Sequence, residues 1–230
     1  PALLKRIQLA GLPLLYARLY FYATGGKGYL SQDEMPAALN RFKRILSENR
    51  ISSLAESKER GSIPAFIDRV ENAPKFITDW WIIGPFPNEL NKGLEMAYPP
   101  ESVFDPTESY TGNDGQTVAW RRVDNTHSGY IDFTKMWQPS ESGVAYAYRT
   151  IAMNSDTALQ VGIGSNDGVR LWVNEKLLHS NPVLRKAVPC QDTVTIPMRK
   201  GVNSILVKID QAGGGWGFYF SLLERDHKGQ

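Results

Sequence analysis

The 230-residue chain has one cysteine, Cys190, so no disulfide can form within it. That leaves the cytosol, the periplasm and the cell exterior equally open. Its three histidines, His127, His179 and His227, are too dispersed for a metal-ligand spacing, and no Cys motif accompanies them. Charge of one sign is also scarce. A net charge of +2 lacks the concentrated basic excess of a nucleic-acid surface, so no nucleic-acid partner is expected. A long uncharged apolar run is missing as well. The apolar opening, Ala2 to Tyr22, is interrupted by Lys5, Arg6, Pro13 and Arg18, which excludes a spanning segment and leaves a buried amphipathic helix, with no membrane partner. The triplet Gly213-Gly214-Gly215 lacks both the Gly-Lys-Ser/Thr ending and the following helix of a phosphate loop. The chain opens on Pro1 rather than Met, as a processed chain or a fragment of something longer would.

Hydrophobic residues make up 42%, enough for a substantial core in one large domain or two smaller ones. The stretch that organises the rest is Leu159 to His179. Leu159, Val161 and Ile163 alternate with Gln160, Gly162 and Gly164, which gives a strand one apolar face. Ser165-Asn166-Asp167-Gly168 then predicts a tight reversal, because Asn and Asp bond their own backbone and Gly accepts positive φ. A second alternating run sets Val169, Leu171 and Val173 against Arg170 and Trp172. Asn174-Glu175-Lys176 closes it, and Leu177-Leu178 starts a third strand. Three short antiparallel strands in this space have the rhythm of a sandwich or jelly roll.

Before this region the pattern is helical. Leu3, Leu4, Ile7, Leu14 and Leu15 fall near helical spacing, with Pro13 expected to kink or divide the helix and Gly25 to Gly28 to end it. Ser31 and Glu34 form a capping box before the stripe Leu39, Phe42, Ile45 and Leu46. Short helices are expected over 54–60 and 62–70. After Pro74 the composition turns to Trp, Tyr, Thr, Val, Gly and Pro. The expected fold is therefore mostly β with an N-terminal α-helical segment over 1–74, an antiparallel β-sandwich of about eight strands over 75–226 and a disordered tail over 227–230. Ile205, Val207 and Ile209 are expected in the core with Val169, Leu171 and Val173.

Three segments, SNDGVRLWVNEKLLHS (165–180), RKGVNSILVKID (199–210) and GGGWGFYFSLL (213–223), resemble the closing half of galactose-binding-like jelly rolls. Such domains occur as carbohydrate-binding modules and as sugar-binding domains of beta-galactosidase and beta-glucuronidase relatives. WWIIGPFPNE (80–89), with the YPPE at 98–101, resembles the opening strand of the version beside bacterial polysaccharide-degrading enzymes. The helical residues resemble the end of a glycosidase-like catalytic module. The resemblance implies a secreted or periplasmic bacterial protein, with a glycan and a preceding catalytic domain of the same polypeptide as partners.

For a sugar ligand, Trp216 is the expected stacking face, because three glycines before it let the backbone approach a partner; a plug over the core is the other reading. Asn88, Glu89, Asp167 and Arg170 are expected to bond hydroxyls, at the sandwich end that gathers the loop after Pro85, the loop Ser165 to Gly168 and the loop Ala212 to Trp216. Trp81 and Trp172 are expected inside or between layers. Asn166-Asp167 resembles the acidic dipeptide that holds calcium in protective-antigen-type lectin domains, with Asn in place of the first Asp. On that resemblance Asn166, Asp167 and Asp210 are the candidate ligands of a structural calcium; on the residues alone the pair stabilises a turn. No other cofactor is expected. Glu56, Glu59 and Asp68 could supply a glycosidase carboxylate pair, but a charged helical run is more simply a solvated face. Two function classes stand: a non-catalytic carbohydrate-binding or substrate-positioning module, and a structural spacer that packs on a catalytic neighbour and binds no sugar. A fragment contributing to a glycosidase active site is the third.

Overall fold

The computed structural model describes residues 2–24, 30–53, 62–124, 129–137 and 142–223. By compactness the described chain falls into two units, one ending at Lys75 and the other starting at Phe76. The first holds α1 (Ala2–Ala23), α2 (Met35–Glu48) and α3 (Ile63–Glu71). Pro13 lies on the exposed side of α1 and does not divide it. The Ser31–Glu34 box forms, with Ser31 N–H donating to Glu34 Oε2 (2.9 Å) and Glu34 N–H to Ser31 Oγ (3.3 Å), and α2 begins one residue later. Ser62 caps α3 by accepting from the N–H of Ala65. Leu12, Leu15 and Leu19 of α1 join Leu39, Phe42 and Ile45 of α2 and Phe66 and Val70 of α3 in one core. The expected helix over 54–60, with Glu56 and Glu59, lies outside the described residues. Asp68 sits on α3 and accepts from its neighbour Asn72. No helix among the described residues is long and apolar enough to cross a membrane.

The second unit is an antiparallel β-sandwich. Its strands are β1 (Lys75–Phe76), β2 (Asp79–Pro87), β3 (Ser109–Thr111), β4 (Thr117–Ala119), β5 (Arg121–Asp124), β6 (Tyr130–Asp132), β7 (Gly143–Met153), β8 (Thr157–Asn166), β9 (Val169–Val173), β10 (Lys176–Asn181), β11 (Asp192–Met198), β12 (Gly201–Asp210) and β13 (Gly217–Leu223). One sheet runs β1-β13-β8-β11 with β6 on β13, the other β10-β9-β12-β7-β2-β5, and β3 pairs with β4 alone. The turn at 165–168 does not make a hairpin. β8 pairs with β13 and β11, β9 with β12 and β10, so Asn166 to Gly168 carries the chain from one sheet to the other. A local reversal looks the same in sequence whether the strands pair or cross, because alternation fixes faces and not partners.

Between the sheets lies the main core. Ile205, Val207 and Ile209 stand opposite Val173, Leu171 and Val169, and all six are buried in it. Trp216 belongs to the same core, which corrects its expected place on the surface. Gly213 (φ 155°) and Gly214 (φ 79°) turn the backbone back on itself, and the indole drops beneath the loop to 1% exposure, its Nε1–H directed at Ile209 O (3.4 Å). Phe133 and Trp137 pack around it at 5.3 and 5.4 Å between ring centres. A Cβ on Gly143 would come 3.0 Å from the Trp216 ring. The glycine loop is thus the hinge of a core plug. Trp216→Ala should lower the stability of the β unit by about 3 to 5 kcal/mol in urea unfolding; a change within about 0.5 kcal/mol, the usual effect at a surface position, would contradict this placement.

Candidate functional site

The three expected recognition loops meet at one end of the sandwich, but their polar groups bond one another. Asn88 is buried, its Nδ2 donating to Gln211 O (2.8 Å) while its Oδ1 accepts from Gly93 N–H (2.8 Å). Asp167, also buried, accepts from the N–H of Arg185 (3.0 Å) and of Ala212 (2.9 Å). These groups staple loops together: the side chains of Asn88 and Asp167, expected to bond a sugar, are buried and bond backbone groups instead. Glu89 is exposed on the short turn Glu89–Asn91. The expected calcium set fares similarly. Asp167 is engaged as above and Asn166 is half-buried at the end of β8. Burial pushes the carboxyl of Asp210 up, nearby Asp167 adds to this, and its Oδ1 has no hydrogen-bond partner. Among the described residues no three His, Cys, Asp or Glu side chains gather as a metal set.

Aromatic and charged side chains collect instead on the outer face of the six-stranded sheet. Strand alternation that sends Val169, Leu171, Val173, Ala145, Ala147, Ile205 and Val207 inward must send Arg170, Trp172, Tyr146, Tyr148, Leu206 and Lys208 outward. Register then aligns them in rows across the strands. Trp81, Tyr148, Leu206, Trp172 and Leu177 follow one another from β2 through β7, β12 and β9 to β10. In the next row Ile83, Tyr146, Lys208 and Arg170 do the same. Such a face would be a large exposed apolar patch if left open.

The segment 94–120 covers most of it, supplying Phe104, Val118 and Trp120 to an aromatic cluster with Phe86, Tyr146 and Trp172. Phe104 lies flat on Tyr148, ring centres 3.6 Å apart and planes at 6°. The segment is anchored by charge. Lys208, 0% exposed, donates from Nζ to Met96 O (2.5 Å) and to Glu101 Oε1 (2.7 Å), and Tyr146 Oη donates to the same carboxylate oxygen (2.5 Å). Lys208 Nζ also stands 5.2 and 5.4 Å from the ring centres of Tyr98 and Tyr146. Burial pulls the Lys208 ammonium down, partly offset by Glu101, and pushes the Tyr146 hydroxyl up, with Glu101 adding to that. Pro99 and Pro100 fix the backbone of the short turn Pro99–Glu101, so Glu101 is delivered to Lys208 from a stiff support.

Beside this anchor the cover ends and a cleft remains. Its volume is about 210 Å³, and its walls include Glu101, Ser102, Phe104, Tyr148, Trp172, Glu175 and Ser204. Small-ligand pockets commonly span about 300 to 1,000 Å³, so this one takes a single ring or a chain end rather than a long ligand. Trp172 is 8% exposed, buried as expected for it, yet its ring forms part of the wall. Arg170, expected as a ligand contact, sits one row away and donates to Ser180 Oγ (3.2 Å). The tyrosine pair could have been found in the sequence, since Ala145-Tyr146-Ala147-Tyr148 alternates small with aromatic and so assigns two rings to one face. Glu101 and Phe104 could not, because their place depends on where a long connection folds back.

No family model matches the chain, and no curated protein matches it. Among solved structures it is similar to a beta-glucuronidase of Ruminococcus gnavus (TM-score 0.42, 9% identity, covering 66% of this chain and 28% of that one). It is also similar to a beta-glucosidase of Kluyveromyces marxianus (0.37, 10%, 46% and 15%) and to an anti-sigma factor domain-containing protein (0.42, 15%, 67% and 45%). The chain thus spans less than half the length of each, and likeness at this level carries no argument about function.

The anchor can be tested by a double-mutant cycle. Glu101→Gln leaves a buried ammonium without its counter-ion and should cost about 3 to 5 kcal/mol; Lys208→Met should cost less, because Glu101 borders the cleft and keeps Tyr146. Together the two substitutions should cost at least about 1 kcal/mol less than the sum of the singles in urea unfolding. Strict additivity would show that the pair does not hold the cover in place.

Proposed function

We propose that the β unit is a non-catalytic carbohydrate-binding module and that its sugar site is the cleft on the outer face of the six-stranded sheet. A pyranose presents a patch of C–H groups and a rim of hydroxyls, so a site for it needs aromatic surface next to a few fixed polar groups. The observation that carries the reading is that Trp172, Tyr148 and Phe104 share one cleft with Glu101, Glu175, Ser102 and Ser204. Glu101 is oriented by Lys208 and Tyr146, and Trp172 by its place between β12 and β10, so little ordering is left to do on binding. In this reading the module positions substrate for a catalytic domain of the same polypeptide, outside the cell or in the periplasm, as the galactose-binding-like resemblance implies. The spacer reading differs in one respect: it expects no sugar to bind.

Affinity-gel electrophoresis and calorimetry against a panel of oligosaccharides separate the two. Stacking on an aromatic is worth of order 1 to 3 kcal/mol, so Trp172→Ala should weaken binding about tenfold or more with the circular dichroism spectrum unchanged. Absence of binding by the unaltered chain to every member of the panel would favour the spacer. Unchanged affinity in Trp172→Ala would move the site elsewhere.

A further inference from the structure

The cleft carries a signature of the ligand class it selects. Two carboxylates, Glu101 and Glu175, line it, and none of its lining residues is Lys, Arg or His. The ammonium bonded to Glu101, that of Lys208, is wholly buried and directed at Met96 O and Glu101. Glu101 is therefore compensated, whereas Glu175 is exposed and makes no ion pair or hydrogen bond with the described residues. Its negative charge faces the cleft uncancelled, and the side-chain hydroxyl of Tyr148, a wall of the same cleft, is raised by burial and then by this charge.

Glu175 also breaks a local rule. Val173 and Lys176 are paired across a two-residue β9–β10 turn in which Asn174 has φ 49° and Glu175 φ 68°. A turn with both central residues at positive φ prefers Asn-Gly, because a side chain at the second position is strained. The first position follows the rule: Asn174 Oδ1 accepts from Ser204 N–H (3.0 Å), its N–H donates to Ser204 O (2.9 Å), and its Nδ2 donates to Asn203 Oδ1 (2.9 Å). The second position holds a carboxylate where glycine would fold better. A strained residue kept on a rigid support at the rim of a cleft is where function displaces stability.

We propose that Glu175 is the specificity-determining residue of this cleft and that the ligand is an amine-bearing sugar, a 2-amino-2-deoxy pyranose at the end of a chain. Its ammonium lies between the Glu175 carboxylate and the aromatic wall of Trp172 and Tyr148, the combination that favours a cation over a neutral group. A uronate or sulfated sugar is repelled by the same charge. This rests on the sugar-binding reading given above.

The test is titration calorimetry of the full chain with glucosamine oligomers, N-acetylglucosamine oligomers and cello-oligomers of equal length at low salt. The amine form should bind about tenfold tighter than either neutral form, and Glu175→Gln should abolish that margin while leaving neutral affinity in place. Raising the salt should shrink the margin in the unaltered chain. Glu175→Gly should raise the thermal midpoint and lose the margin as well, which separates a charge at this position from a structural role. Equal affinity for amine and neutral oligomers, or a margin that survives Glu175→Gln, overturns the proposal while sugar binding stands. Binding of no oligomer fails the sugar-binding reading and the proposal with it.

Discussion

The arrangement of the β unit depends on one buried ion pair, Lys208 with Glu101. A lysine at zero exposure in the middle of a sheet is untenable without a counter-charge, since desolvating an ammonium costs several kcal/mol. Glu101 answers that cost from a segment more than a hundred residues away in sequence, with Tyr146 and the carbonyl of Met96 completing the coordination. The pair therefore does more than offset a charge: it specifies which connection lies over the sheet and where it stops. Phe104 follows three residues after Glu101 and closes on Tyr148; the wall of the cleft is the edge of that cover.

A consequence is that the six-stranded sheet is buried on both faces for most of its area. Its inner face is aliphatic apart from Trp80 and joins the main core, while its outer face is mainly aromatic with one buried charge. The two faces divide the labour. The close-packed core between the sheets sets the stability of the sandwich, and the outer aromatic face, only partly covered, is left with surface that water wets poorly and a flat ligand could occupy. The loop end of the sandwich has the opposite character. There Asn88, Asp167, Arg185 and Gln211 bond one another and the backbone, and Arg185 adds two bonds to Asp192. Burial pushes the Asp192 carboxyl up, but the hydrogen bonds from Arg185 and Asn181 and the charge of Arg185 outweigh it and hold the group below its usual value, as befits a closed structural network.

Most of the strand order of faces was legible in the sequence, because alternation is a local property. Val169, Leu171 and Val173 against Arg170 and Trp172 is enough to place each on its side. What alternation does not contain is partnership, and the turn at 165–168 shows this: the same residues that predict a reversal carry the chain between sheets. Trp216 reads as a surface residue for a related reason. Trp216 follows three glycines, and a glycine loop permits an indole to turn outward or inward with equal ease; the space left by Gly143 and the rings of Phe133 and Trp137 decide for inward. Lys208 reads in sequence as a solvated outward position between Val207 and Ile209. Only the long connection around Pro99-Pro100-Glu101 makes it a buried anchor, and contacts of that separation leave no periodic trace.

If sugar meets the chain at the outer sheet face and not at the loop end, as we propose, the chain's six tryptophans report on both. With 5-fluorotryptophan incorporated and each fluorine resonance assigned by single substitution, titration with a bound oligosaccharide should shift the Trp172 signal and leave Trp80 and Trp216, both sealed in the main core, where they are. A titration that shifts Trp216 while Trp172 stays fixed would place the sugar at the loop end instead.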